Sequence, residues 1–417
     1  MRKVFLSVVA AVGLFWGVSR AEAAVTQVDS LLDALVEKGY FTEAEAREIK
    51  GDIVADEKVL REDGFKQSLP SWVTEMKLKG DFRLRYEYSN RNDSTDIARS
   101  RGRIRYRLGI ETKPNDKVKV GFGIASDGGN PRSTNRTFTD DFTKSNIILD
   151  YAYAEYVPND LWILQGGKMP KMPFWQVSDL LWDTDITPEG GAITANVKLS
   201  DAAKVFATVA PMVLDESSTD VSDPYMLVAQ GGIELKAGEK ADAKVAGTWY
   251  YMTNLGKELL DNRSSPTTNT VVGGRYAYHY DSIGADFEAG INNPLEDVLP
   301  IAIPRVALIG QFIHNPDPAD NNNGWLAGAY FGDKKVNGPG QWKVTGAYRY
   351  LQTDAWLDAW PDSDFYGGAT DVKGFEGILE VGLAKNVTWG LDFYSSRRIV
   401  AAKAQEVVVQ SDINFRF

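Results

Sequence analysis

The sequence predicts an all-β chain: a transmembrane barrel of about sixteen antiparallel strands behind a short N-terminal helical segment. Three observations predict it. The chain opens with an export signal, it has no cysteine, and it closes on a strand with one apolar and one polar face. In that last strand Val409, Ser411, Ile413, Phe415 and Phe417 share one side, and Gln410, Asp412, Asn414 and Arg416 share the other. A period of two is the mark of a β-strand, and many upstream segments repeat it.

The signal occupies residues 1–23. Arg2 and Lys3 make its positive start, residues 4–18 are apolar except for Ser7, Gly13 and Gly17, and Ala21-Glu22-Ala23 is a small-x-small cleavage site. The apolar run is too short for a membrane helix, which needs about 20 residues. Cleavage removes Arg2, Lys3, Arg20 and Glu22, a net +2, so the formal charge moves from −11 to −13. Such an acidic chain is no partner for nucleic acid. Without cysteine there is neither a disulfide nor a covalent c-type haem. The mean hydropathy is −0.28. With no second long apolar run, only a closed barrel pairs every backbone group inside a bilayer.

Residues 24–70 differ in texture. Residues 29–39 read as a short helix ended by Gly39, and Thr42-Glu43-Ala44-Glu45 is a capping box. The helix it opens carries a narrow stripe of Ala46, Ile49, Ile53, Val59 and Leu60. The expectation is a periplasmic helical hairpin or coiled-coil segment. A trimer stalk or a tether to peptidoglycan is the sharper alternative. Pro70, in Gln67-Ser68-Leu69-Pro70-Ser71, marks the boundary to a barrel over 71–417.

From residue 74 alternation takes over. Met76, Leu78, Gly80, Phe82, Leu84, Tyr86 and Tyr88 interleave with Lys77, Lys79, Asp81, Arg83, Arg85 and Glu87. A dry core would not accept that many charges on one inward face, whereas a water-filled lumen does. The strands fall at 74–89, 99–112, 117–127, 146–157, 161–169, 190–199, 203–213, 223–237, 241–253, 275–291, 301–314, 322–333, 340–353, 370–384, 386–397 and 404–417. Short turns at 113–117, 157–160, 199–203 and 384–386 alternate with long loops at 128–145, 170–189, 254–274 and 354–369. That alternation is typical of outer-membrane barrels, and an even strand count puts both ends of the barrel on the periplasmic side. This size implies a wide aqueous lumen. Tyr86, Tyr88, Trp162, Trp249, Tyr250, Tyr348, Tyr350, Trp389 and Tyr394 recur near strand ends, as interface girdles do. In residues 147–156 both faces carry apolar side chains and the outward one is undecided, and Pro304 fits only at a strand's start.

Two features are candidates to set selectivity. Arg83 and Arg85 on the first strand, and Arg101, Arg103, Arg105 and Arg107 on the second, fall on the polar face, and Lys119 on the third joins them. Neighbouring antiparallel strands bring such side chains close together, so water, anions or counter-charges from Asp81, Glu87 and Glu111 must separate them. The second feature is the loop at 170–189. Phe174, Trp175, Leu180, Leu181 and Trp182 need a surface to pack on, which folding into the lumen supplies. Asp179, Asp183, Asp185 and Glu189 would then face the arginines across a constriction. An extracellular cap or a trimer contact is the other reading of that loop.

Catalysis finds little support. The two histidines, His279 and His314, carry no nucleophile motif, and Ser282 would sit on the opposite strand face from His279. Asp183-Thr184-Asp185 lacks the further ligands and turn glycine of a calcium loop. No cofactor or metal is expected.

The chain resembles the general bacterial porins, and more closely the putative-porin family of Gram-negative bacteria. The resemblance rests on Gly166-Gly167-Lys168-Met169-Pro170 with Pro173-Phe174-Trp175, on residues 182–190 (WDTDITPEG), on Asp362-Ser363-Asp364-Phe365 with residues 370–374 (TDVKG), and on Phe415-Arg416-Phe417. It implies a homotrimer, an inward-folded loop after the fifth strand, and an assembly signal at Phe415 and Phe417 read by the barrel assembly machinery. With it comes the expected function: a passive diffusion channel in the lipid of the outer membrane for small hydrophilic solutes and ions. At about 0.15 M salt the screening length is near 8 Å, so charges at the narrowest section outweigh the bulk negative charge, and anions are favoured. A structural barrel, plugged by its loops and tethered through residues 24–70, is the alternative.

Overall fold

A computed structural model describes residues 75–92, 97–126, 129–216, 218, 222–256, 259–294, 303–400 and 404–417. The signal and the helical segment at 24–70 lie outside the described residues.

Sixteen long strands form one antiparallel sheet that closes on itself. They are β1 (Glu75–Arg91), β2 (Arg99–Asn115), β3 (Val118–Ser126), β4 (Ile147–Tyr156), β5 (Trp162–Lys168), β6 (Glu189–Lys198), β7 (Ala203–Val213) and β8 (Tyr225–Ala237). The second half contains β9 (Ala241–Thr253), β10 (Ile283–Asn292), β11 (Arg305–His314), β12 (Asn323–Gly332), β13 (Trp342–Leu351), β14 (Val372–Ala384), β15 (Val387–Arg398) and β16 (Gln405–Arg416). Each strand pairs with its neighbours in sequence, and β16 pairs with β1 from Asp81↔Arg416 to Arg91↔Glu406. The last residue completes the seam: Phe417 N–H donates to the Gly80 carbonyl at 3.0 Å, and Gly80 N–H returns a bond to the Phe417 carbonyl at 2.8 Å. Among the described residues, closure leaves the barrel sheet without an unpaired edge.

The short turns cap themselves. Asn115 Oδ1 accepts from the Lys117 and Val118 amides, and Asn159 Oδ1 from those of Leu161 and Trp162, as asparagine turns do. Pro304 lies just ahead of β11, where its missing N–H does no harm. The expected strand at 275–291 is shorter: residues 275–282 belong to a loop that holds a small hairpin, Val271–Val272 with Arg275–Tyr276.

Alternation is clean on β7, where Phe206, Thr208, Ala210 and Met212 are buried inside while Ala207, Val209, Pro211 and Val213 point out. On β4 it slips. A bulge opposite Gly123/Ile124 adds one residue at Asp150, so Ile147 and Leu149 point outward but Tyr153 points in. That is why both faces of this segment read as apolar. Outward aromatics cluster towards the long-loop rim (Trp249 with Tyr251, Trp325 with Tyr350, Tyr348 with Phe375) and towards the short-turn rim (Phe82 with Phe415, Tyr106 with Phe417). Tyr250 and Tyr394, expected in the girdles, are buried inside instead.

Candidate functional site in the barrel lumen

Loops fill much of the lumen. We name the long ones L1 to L8 in chain order; L2 spans 127–146, L3 169–188, L5 254–282 and L7 352–371. L3 folds inward, and its Phe174, Leu180, Leu181 and Trp182 are buried. The inner wall of β7 to β9 is unusually apolar, with Ala210, Met212, Met226, Val228, Tyr250 and Met252, and L3 packs on it. Trp182 stacks on Trp360 of L7 with centroids 4.6 Å apart, and meets Trp356 edge-on at 5.4 Å. The Trp356 indole N–H donates to the Leu181 carbonyl at 2.9 Å.

Polar wall residues hold the L3 backbone. Gln230 of β8 accepts from the Trp175 N–H at 2.9 Å and donates to its carbonyl at 2.7 Å. Asp286 of β10 accepts from the Val177 N–H at 2.9 Å, and Gln311 of β11 accepts from the Ser178 hydroxyl at 2.6 Å. L5 fastens L7 in the same manner, with Thr268 N–H donating to Asp358 at 2.6 Å and the Tyr280 hydroxyl to Asp354 at 2.9 Å. Unpaired, these buried backbone groups would each lose about 1–3 kcal/mol.

The six ladder arginines lie together on β1 and β2, with Arg83 opposite Arg105 and Arg85 opposite Arg103. Carboxylates stand between them. Asp81 accepts from Arg105 at 2.9 Å and Arg107 at 2.8 Å, and Glu87 binds both Arg101 and Arg103. Arg85 grips Asp412 of β16 with two bonds, at 2.8 and 2.7 Å, and Asp364 of L7 at 2.9 Å. Such bidentate pairs are the strong ones. Lys119 lies apart from this group and pairs with Glu155 at 2.8 Å.

The four acids of the inward loop diverge. Asp185 reaches the ladder, 3.1 Å from Arg107 and 3.6 Å from Arg105. Asp179 instead meets Arg349 of β13 at 2.5 Å. Arg349 is itself buried and also binds Asp362 of L7, at 3.0 Å, and Glu376 of β14. Asp183 accepts from the amides of Asp185 and Ser363, both at 2.9 Å. Burial, reinforced by Asp185, pushes the Asp183 carboxyl up to about 7. Burial with Asp179 alongside also holds Asp362 well above the usual carboxylate range. Glu189 opens β6, is exposed, and pairs with Lys168 at 2.8 Å. Reading the sequence missed L7 as a partner of L3. The run Trp356, Trp360, Asp362 and Asp364 was its signal.

Two open cavities remain on the ladder side. One, at the long-loop end, is lined by Glu87, Arg91, Arg99, Arg101, Asp364 and Glu406. The other, at the short-turn end, is lined by Lys77, Glu111, Lys113, Lys119 and Glu155. Between them lie Arg83, Arg103, Arg105 and Arg107.

The family model described as putative porin matches residues 88–295 and 276–417, well over half the chain. The fold is similar to that of OprB from Pseudomonas putida, 11% identical at a TM-score of 0.53, over 82% of this chain and 94% of that one. It is also similar to OmpF of Salmonella typhi, 10% identical at a TM-score of 0.50, over 84% of this chain and 99% of that one. No curated protein matches by sequence.

Proposed function

The chain belongs to the putative-porin family, outer-membrane channels of Gram-negative bacteria and not enzymes, and on that premise we propose a passive channel for small hydrophilic solutes whose path follows the arginine ladder. One observation supports this reading: an open cavity borders β1 and β2 at each end of the barrel, and the ladder arginines lie between the two. The opposite half of the lumen is largely packed by L3, L5 and L7, which leave a further cavity lined by Met172, Trp182, Leu260 and Trp360. Arg101 lines the cavity at the long-loop end, while Arg83, Arg85, Arg103, Arg105 and Arg107 form the middle of the path, opposed by Asp185. Asp179 and Asp183 act behind the path, as fasteners of L3, and Glu189 and Lys119 flank it.

The six ladder arginines contact five carboxylates (Asp81, Glu87, Asp185, Asp364 and Asp412), so the wall is only slightly positive. A modest anion preference follows, since screening confines selection to the charges beside the path. The mature chain begins after the signal at 1–23, carries residues 24–70 in the periplasm and assembles as a homotrimer in outer-membrane lipid, with Phe415 and Phe417 presented to the assembly machinery. Single-channel conductance and zero-current potential in a planar bilayer under a salt gradient test the reading. Stable conductance with anion preference supports it. A cation preference transfers control to the acids, and silence from folded protein favours the plugged structural barrel.

A further inference from the structure

L2 enters the lumen and touches the ladder. Residues Arg136–Thr137 pair with β2 at Ile104 and Arg103, beyond the end of β3, and so fix the loop's far limb. The Arg132 side chain donates to the Asp358 carbonyl at 3.0 Å and the Gly368 carbonyl at 3.2 Å, which fixes the near limb on L7. The tip between them, residues 133–135, lies on the arginines. Asn135 Oδ1 accepts from Arg83 Nη2 at 2.5 Å, and Ser133 Oγ from Arg103 Nη2 at 3.5 Å. Thr134 and Asn135 are both about 5% exposed.

Arg83 differs from every other ladder arginine. Its hydrogen-bonded ligand is a neutral amide, and its nearest carboxylate oxygen, on Asp412, is 3.6 Å away and already held by Arg85. The Nε–H groups of both Arg83 and Arg103 are buried and unpartnered. Their side chains are 11% exposed. A buried guanidinium facing a neutral oxygen, with a spare donor, is an incompletely neutralised cation.

Resting on the channel reading above, we propose that the tip of L2 is an internal ligand: Asn135 and Ser133 occupy a site for an anionic oxygen group on Arg83 and Arg103, and a solute carboxylate or phosphate takes their place in passage. The neutral tip suits that task. It satisfies the guanidinium groups at rest, yet an anion makes the stronger charge-assisted bonds to the same donors. An acidic residue at 135 would hold the site permanently, and an alanine would leave it open.

Calorimetric binding of inorganic phosphate and, separately, of succinate to the folded full-length protein in detergent tests this, with refolding checked by heat-dependent electrophoretic mobility. Asn135→Ala is expected to tighten binding about fivefold, the worth of one lost competing hydrogen bond, and Asn135→Asp to weaken it at least about tenfold. A response to only one of the two anions identifies which chemistry the site takes. Equal affinity in all three proteins, or weaker binding by Asn135→Ala, overturns the proposal. The channel reading stands or falls separately: folded protein that binds anions but never conducts refutes it and leaves the L2 site intact.

Discussion

Trp182 of L3 and Trp360 of L7 lie face to face, 4.6 Å between centroids and 22° from parallel, although 178 positions separate them in sequence. This contact joins the two loops that narrow the barrel. Trp182 is 2% exposed. Trp182→Ala should therefore cost about 3–5 kcal/mol of packing and open a cavity at the loop junction. Conductance should rise and become noisier, and protease should cut L3. Unchanged current and unchanged cleavage would show that the stack does not hold the constriction.

Arg349 is the second fastener. Replacing it with methionine leaves Asp362 and Glu376 buried, with half-buried Asp179 beside them, without their cation, a loss of about 3–5 kcal/mol. L3 and L7 should part, with higher conductance and faster hydrogen exchange in both loops. The combined change with Asp179→Leu should recover part of the loss. If the single variant conducts like the parent, the loops are held by their aromatic packing alone.

Asp183 gives the closed arrangement a pH dependence. Its ordinary value is 3.8, and in the folded loop it stands near 7. A carboxyl raised on folding favours its protonated form, so its contribution is fully present below about pH 4 and is lost as pH rises through about 7. Current fluctuations should grow across that window and level off above it. Asp183→Asn should flatten the profile, and a parent profile already flat between pH 4 and 7 would exclude Asp183 as its source.

Gly80 sits where the seam closes. A Cβ there would meet the Phe417 ring and the Arg107 carbonyl well inside contact distance. Gly80→Val should block the final pairing, which would be read as a loss of the compact, heat-modifiable form on electrophoresis. Removal of Phe417 alone should give a milder version, since two backbone bonds go but the register of β16 survives.

Most of the barrel was legible because alternation is a local property: β7 and β16 declare their faces residue by residue. The β4 bulge was not, since one inserted residue reverses the phase and resembles a strand with two apolar sides. The inward course of L3 could be read from its exposed-looking tryptophans, but their partners could not. Asp179 meets Arg349 rather than the ladder because 170 positions of chain return it to β13, and no spacing rule encodes that return. Tyr250 misled for a related reason. Beside Trp249 it looks like a girdle residue, yet adjacent positions on a strand must face opposite ways. The arginines were visible as a set, while which of them had no hydrogen-bonded carboxylate depended on L2 and L7.

The seam between β1 and β16 also governs how the molecule comes into being. Arg85 and Asp412, bonded at 2.7 Å, are 327 positions apart. The entropy of bringing such distant segments together grows with the logarithm of the free chain between them, so the local hairpins form before the ends can meet. Until the final residues arrive, the nascent sheet is an open ribbon, and β1 presents a full row of unsatisfied amides and carbonyls. Ring closure is thus the last step of maturation, and any partner that shelters the β1 edge beforehand must leave it as β16 docks.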